Sequence, residues 1–151
     1  MLFPKSTLDA IEEAIVRAER THAGEIRFAI ETSLSPLHVL NDCTARARAL
    51  EVFAHLRVWD TAHNNGVLIY VQLADRAVEI VADRGLREHI QPSEWEAVCR
   101  LMEQQFRERR YRAGAIAGVE AVGTLLARHY PAPAGTSPRA GNELPDRTTL
   151  L

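Results

Sequence analysis

The sequence predicts an α/β protein in which helices cover both faces of a small mixed β-sheet, and three observations carry this prediction. The run from Val67 to Val71 is apolar at every position, as expected of a central strand buried on both faces. A helical pattern at residues 33–59 separates this run from an earlier strand, so the two strands should be parallel. A short turn at residues 74–76 then leads into a third apolar run, which predicts an antiparallel hairpin.

The chain opens with a predicted helix and strand. Ser6, followed by Asp9 three residues later, is typical of a capping box at a helix start. Apolar side chains then recur at helical spacing, at Leu8, Ile11, Ile15 and Ala18. After a break at residues 22–24, apolar and polar side chains alternate from Glu25 to Glu31, which predicts a strand with one apolar face.

Three further helices are predicted. Residues 33–59 should form one crossover helix, with its apolar stripe at Leu40, Ala47, Leu50, Phe53 and Leu56. Ser93 and Glu96 form an S-x-x-E box that should open a long helix. A last helix covers about residues 113–129, and the small side chains along it indicate close approach to a neighbour, at Gly114, Gly118 and Gly123.

Length and composition limit the class of protein to which the chain can belong. The 151 residues, 46% hydrophobic and 25% charged, fit one ordinary domain. A net charge of −2 gives no global basic field, which disfavours nucleic acid as a partner. No stretch approaches the roughly 18 uncharged apolar residues of a membrane span, so we expect a cytoplasmic protein without direct membrane insertion. We assign the domain to residues 1–130 and an extended or disordered C-terminal tail to residues 131–151.

Cysteine and histidine spacing predicts no zinc site, and familiar catalytic motifs are absent. Cys43 and Cys99 have no C-x-x-C partner and no histidine at ligand spacing, so we expect two small buried hydrophobes of a reduced protein. The six histidines form no H-x-x-x-H pair. The chain has no G-x-S-x-G, P-loop or G-x-G-x-x-G, and catalytic residues stay unknown.

Three short motifs occur in order along the chain: T-x-x-G-E-I at residues 21–26, N-G-V-L-I at 65–69 and D-x-G at 83–85. Together they resemble the TPM domain family over about residues 8–130. The resemblance implies a three-layer α/β/α sandwich of Rossmann-like type around a small mixed sheet. The family also carries a phosphatase label, which few members justify by a recognisable catalytic motif. The resemblance further implies an association with LemA-type membrane proteins.

The predicted topology gathers these motifs at one edge of the sheet, where the first two strands begin and the third ends. Carboxylate and amide oxygens on loops are the ligands that Ca²⁺ or Mg²⁺ prefers. We therefore predict a divalent metal site at this edge, formed by Glu25, Asp60, Asn64, Asn65 and Asp83. The alternative is that these residues serve turns and caps, with Asp83 capping a helical turn and Glu25 facing water.

Two other regions are weaker candidates. The opposite edge of the sheet carries polar residues at Glu31, Thr32, Ser33, Asp75 and Arg76. A basic cluster offers an interaction surface at Arg107, Arg109, Arg110 and Arg112, although arginines at a helix end also complement the helix dipole.

The sequence thus favours a metal-binding accessory or protein-interaction domain. The alternative is a weak metal-dependent phosphatase acting on phosphomonoesters, for which His22 and His63 are the nearby candidates for a general acid or base.

Overall fold

A computed structural model describes residues 2–131 and 148–151 of the chain. Within these residues the helices are α1 (Lys5–Glu19), α2 (Pro36–Leu40), α3 (Ala45–His55), α4 (Arg84–Arg87), α5 (Pro92–Arg107) and α6 (Tyr111–His129). The strands are β1 (Glu25–Glu31), β2 (Gly66–Gln72), β3 (Ala77–Ala82) and β4 (Thr149–Leu150).

The strands form one mixed sheet in the order β3-β2-β1-β4. β1 and β2 are parallel, with Glu25 opposite Gly66 and Glu31 opposite Gln72. β2 and β3 form an antiparallel hairpin in which Val67 lies opposite Ala82. The parallel crossover and the hairpin that the sequence predicts are both confirmed.

Helices cover both faces of the sheet, but unequally. The larger core lies between the sheet and α1, α5 and α6, and it includes Ile26, Phe28, Val67 and Ile69. The smaller core lies under α3 and includes Ala29, Leu68, Tyr70 and Val81. The predicted α/β/α layering is confirmed. The predicted apolar face of β1 is confirmed at Ile26, Phe28 and Ile30, and its more polar second face is largely buried as well.

The crossover segment is two helices rather than one. α2 ends at Leu40 with Asn41 as its C-cap, and Asp42 adopts a left-handed backbone conformation with φ of 53°. The hydroxyl of Thr44 then accepts the backbone N–H of Ala47 at 3.0 Å and starts α3 anew. α3 is therefore rotated relative to the predicted apolar stripe, which is correct only in part. Phe53 and Leu56 pack against the smaller core, but Ala49 and Val52 are its buried residues, whereas Leu40 and Leu50 are exposed.

Two predicted caps also differ in the structure. α1 begins at Lys5 after Pro4, so Ser6 lies inside the helix. α5 begins two residues earlier than expected, because Pro92 occupies its first turn and the N–H of Gln91 donates to Glu94 Oε2 at 2.8 Å. The capping box is thus Gln91 with Glu94, not Ser93 with Glu96.

The glycines of α6 lie where neighbouring helices pack against it. A Cβ on Gly118 would be 2.2 Å from Sδ of Met102 in α5, and one on Gly123 would be 2.9 Å from Cβ of Ala18 in α1. The predicted close approach is confirmed.

The C-terminal residues add a strand that the sequence does not predict. Thr149 and Leu150 lie parallel to β1, and the N–H of Leu151 donates to the carbonyl of Ile30 at 2.8 Å. Residues 132–147 of the expected tail lie outside the described residues. Among the helices that are described, none combines the length and apolarity that crossing a membrane requires.

Candidate metal-binding site

Glu25, Gly66 and Asp83 lie side by side across the sheet, at the edge where β1 and β2 begin, and form a row with an acid at each end. Glu25 is opposite Gly66, and the N–H of Asp83 donates to the carbonyl of Gly66 at 2.9 Å. Because side chains alternate along a strand, all three positions belong to the α3 face of the sheet. Glu25 and Asp83 are only 5% and 8% exposed. The structure therefore buries both acids on one face, on either side of a glycine.

The glycine in this row makes room for a backbone carbonyl. A Cβ on Gly66 would lie 2.1 Å from the carbonyl oxygen of Val58. The loop after α3 thus crosses the sheet at Gly66 and sets the Val58 carbonyl over this middle position of the row. Gly85 has a similar role, because its Cβ would lie 2.5 Å from the carbonyl oxygens of both His63 and Asn64. Gly66 and Gly85 are explained by this backbone packing, whereas a Cβ on Gly24 would instead meet the side chain of Leu126 at 3.0 Å.

Only one of the two carboxylate oxygens of Asp83 has a hydrogen-bond partner among the described residues. Oδ1 accepts the N–H of Arg84 at 2.7 Å and caps α4, so the capping role that the sequence allows is present. Oδ2 is buried and has no hydrogen-bond partner among the described residues. A buried carboxylate oxygen without a partner is unfavourable, and it marks a position where a ligand would be stabilised.

Asn65 and His22 border the same edge. The side-chain amide of Asn65 donates to the carbonyl of Ala23 at 2.6 Å, while its buried Oδ1 lacks a partner in the described part of the chain. His22 Nδ1 accepts the N–H of Gly24 at 3.0 Å. Burial lowers the pKa of His22 to about 4, so its imidazole is neutral near pH 7.

The other predicted ligands lie farther out on the loop. Asp60 is exposed and pairs with Arg57 at 3.0 Å. Asn64 is half-buried with φ of 53° and uses its carbonyl to accept the N–H of Gly85. Among residues 2–131 and 148–151, no three His, Cys, Asp or Glu ligand atoms gather at this edge within 4.8 Å. A cation here would need amide and backbone oxygens in addition to the acids.

The opposite edge uses its buried acid for an ion pair. Arg48 donates to both oxygens of Glu31, at 2.8 and 2.9 Å, and the hydroxyl of Tyr70 donates to Glu31 at 2.7 Å. The guanidinium of Arg48 lowers the pKa of Glu31, and burial raises the pKa of Tyr70. Thr32 and Ser33 line an adjoining, mostly apolar groove of about 570 Å³.

The remaining residues of that edge are on the surface. Asp75 and Arg76 are exposed in the turn between β2 and β3, where Arg76 has φ of 51°.

The basic cluster surrounds the turn between α5 and α6. Its four arginines are all exposed, at Arg107, Arg109, Arg110 and Arg112. Arg110 lies 3.4 Å from a carboxylate oxygen of Glu108. The ring of Tyr111 stacks on Phe106 with centroids 5.6 Å apart, so this tyrosine belongs to the internal packing.

The expectation that both cysteines are buried is wrong, because Cys43 and Cys99 are half-buried. The position of Trp59 on an apolar stripe of the sequence also predicts core packing, and this is wrong too. Trp59 lies in the loop beyond α3 and is 46% exposed, with the Arg57 guanidinium 5.3 Å from its ring centroid.

The sequence reasoning also missed a cluster of His38, Cys43 and Glu51, whose ligand atoms lie within 4.8 Å of one another. The Asn41-Asp42 pair before Thr44 was the available signal, because these residue types favour a turn followed by a helix cap.

Comparison with known proteins identifies the family. A model of the TPM domain matches residues 1–125. The chain belongs to the TPM domain family. This TPM domain is similar to the BA42 protein of the psychrophilic bacterium Bizionia argentinensis, solved by NMR, with 28% identity and a TM-score of 0.83 over 99% of this chain and 95% of that one.

A second solved structure shares the fold. It is the N-terminal domain of a protein from P. gingivalis, with 21% identity and a TM-score of 0.69 over 85% of this chain and 79% of that one. No match was found among curated proteins.

Proposed function

We propose that this TPM domain binds a hard divalent cation, Ca²⁺ or Mg²⁺, at the edge where β1 and β2 begin, and that it acts as an accessory or protein-interaction domain. The observation that supports the proposal is the buried Oδ2 of Asp83, which has no partner among the described residues. A cation would supply that partner and offset the cost of burying the charge.

The donors around Asp83 fit such a cation chemically. Glu25 offers a second buried carboxylate in the same row, and the Val58 carbonyl lies over Gly66, the middle position of that row. Asn65 offers an amide oxygen that lacks a protein partner in the described chain. Ca²⁺ and Mg²⁺ take mixed carboxylate, amide and backbone oxygens. We place Asp60 and Asn64 as outer members of the set, because their loop passes over Gly66.

An NMR titration of the metal-free protein with Ca²⁺ and Mg²⁺ tests the proposal. Shifts should centre on residues 22–26, 58–66 and 83–85. Asp83→Asn retains the cap on Arg84 but loses the charge, and it should weaken binding by about tenfold or more. Asp75→Asn, in the exposed turn between β2 and β3, is the matched control and should bind as the unchanged protein does. Shifts that survive Asp83→Asn would refute the site.

The accessory role rests on the family resemblance, which also implies a LemA-type membrane protein as partner. The exposed arginines at the turn between α5 and α6 are the surface that we propose for this contact. Reversing the charges of Arg107 and Arg112 should abolish salt-sensitive co-precipitation with such a partner; retention of binding would exclude this surface.

The alternative function is a weak metal-dependent phosphatase that uses the same cation. His22 borders the edge, but its pKa of about 4 makes it a weak base, and His63 lies exposed on the loop. Hydrolysis of a phosphomonoester by this route requires Mg²⁺ or Ca²⁺ and should disappear in Asp83→Asn. Activity that persists in this variant would exclude the alternative.

A further inference from the structure

A second group of ligand-type side chains lies away from the sheet edge, around the junction of α2 and α3. His38 comes from α2, Cys43 from the turn and Glu51 from α3. Their nitrogen, sulfur and oxygen atoms lie within 4.8 Å of one another. Among the residues that the structure describes, this is the one group of three His, Cys, Asp or Glu side chains at such spacing.

The histidine of this group is held in a ligand-like orientation. Ser35 Oγ lies 2.5 Å from His38 Nδ1, which turns Nε2 toward Glu51 Oε2 at 2.8 Å. In metal sites the second ring nitrogen of a ligating histidine is normally hydrogen-bonded to an oxygen, and this bond sets the tautomer and the ring orientation. Ser35 provides that oxygen here.

The carboxylate is held from its other side. Arg48 Nη1 donates to Glu51 Oε2 at 3.2 Å, while the rest of the guanidinium is committed to Glu31. The charge of Arg48 is therefore largely balanced by Glu31. Glu51 and a Cys43 thiolate remain to neutralise an added divalent cation.

We propose that His38, Cys43 and Glu51 form a binding site for Zn²⁺. Thiolate, imidazole and carboxylate together are the donors of zinc and not of Ca²⁺ or Mg²⁺. Three protein ligands leave a fourth tetrahedral position for water. Tetrahedral ligands at about 2.0–2.3 Å from zinc lie roughly 3.3–3.6 Å from one another. His38 Nε2 and Glu51 Oε2, now 2.8 Å apart, would therefore separate slightly to admit the metal, and the exposed turn at residues 41–44 would let Cys43 adjust its position.

Zinc would also stabilise a segment that has little other support. α2 has no buried residue, and Leu37, Val39 and Leu40 on it are all more than half exposed. A metal bound to α2, the turn and α3 together would fix α2 against α3. The site is independent of the proposed cation site, because it shares no residue and takes a softer metal.

Cobalt is the direct probe, since Co²⁺ replaces Zn²⁺ in tetrahedral sites and a cobalt–thiolate bond gives a near-ultraviolet charge-transfer band. The whole protein should bind one Co²⁺ with this band, and Zn²⁺ should displace it. Cys43→Ser should abolish the band, whereas Cys99→Ser is the matched control and should leave it intact. His38→Gln and Glu51→Gln should each weaken binding by about tenfold or more, and His55→Gln should not.

A second measurement requires no variant. Zn²⁺ should slow alkylation of Cys43 by iodoacetamide, read by mass spectrometry of the peptide that contains it, and Ca²⁺ should not. The proposal is overturned if Zn²⁺ leaves this rate unchanged, or if the cobalt band is absent or depends on Cys99. Asp83→Asn should bind Co²⁺ normally, so failure of one metal site is distinguishable from failure of the other.

Discussion

Glu31 and Asp83 are both buried acids at ends of the sheet, yet their carboxylates have different partners. Both oxygens of Glu31 are bonded to Arg48, and Tyr70 adds a third hydrogen bond. Asp83 uses one oxygen to cap α4 and has no partner for the other among the described residues. Burial alone therefore does not distinguish a structural acid from one that we propose as a metal ligand. The two differ in the partners of each oxygen, because a fully bonded carboxylate has no further need of a cation.

The largest expected effect is a loss of folding stability at low pH. It should begin at a higher pH for His22, at one edge of the sheet, than for Glu31 at the other edge. Unfolding raises the pKa of His22 from about 4 to its ordinary 6.5, so the unfolded chain binds a proton that the folded chain does not. Stability contributed by neutral His22 is present above pH 6.5 and is lost as the pH falls toward 4, by up to about 3 kcal/mol. The stability from Glu31, whose pKa is lowered from 4.5, is lost only below that value.

Urea unfolding between pH 7 and 4.5 measures this difference. His22→Asn retains an acceptor for the N–H of Gly24 and should flatten the pH dependence. His63→Asn, at an exposed histidine of the same edge, should leave it unchanged. Equal slopes for His22→Asn and the unchanged protein would refute the assignment to His22.

A smaller loss is expected when the ion pair at the other edge is broken. Glu31→Gln removes the buried carboxylate partner of Arg48, whose side chain is 19% exposed, and leaves it only the exposed Glu51 at 3.2 Å. This change should lower the free energy of unfolding by about 2 kcal/mol. The control is Glu79→Gln, whose pair with Arg46 is 3.6 Å long and more exposed, with an expected change below about 1 kcal/mol. Equal losses in denaturant unfolding would show that the Glu31 pair is no more than a surface ion pair.

The smallest effect is expected at Asp83 without metal. Asp83→Asn retains the acceptor for Arg84 and removes a buried charge, so the free energy of unfolding in chelator should change by less than about 1 kcal/mol. A large loss in thermal or urea unfolding would instead make Asp83 a structural acid like Glu31. The contrast between a fully bonded Glu31 and a partly bonded Asp83 would then be wrong.

Much of the architecture follows from the sequence alone. The apolar run of β2, the short turn into β3 and the glycines of α6 determined the mixed sheet and its helical packing. Each is a local pattern, fixed by residues close together in the chain, and three glycine-containing motifs were enough to indicate the TPM family. The placement of Glu25, Asn65 and Asp83 along one edge also followed from strand order.

The tertiary structure decided what these side chains contact. Periodicity did not reveal that the crossover breaks at Asp42, so it missed both the rotation that turns Arg48 toward Glu31 and the meeting of His38, Cys43 and Glu51. It also did not place Thr149 beside β1. The contact of Thr149 with β1 joins residues far apart in the chain, and that of Arg48 with Glu31 depends on how α3 packs onto the sheet. The cluster of His38, Cys43 and Glu51 is closer in sequence, but it forms only because the chain turns between α2 and α3. A sequence pattern reports the neighbours along the chain, whereas the hydrogen-bond partners of a buried atom are chosen only when distant segments come together.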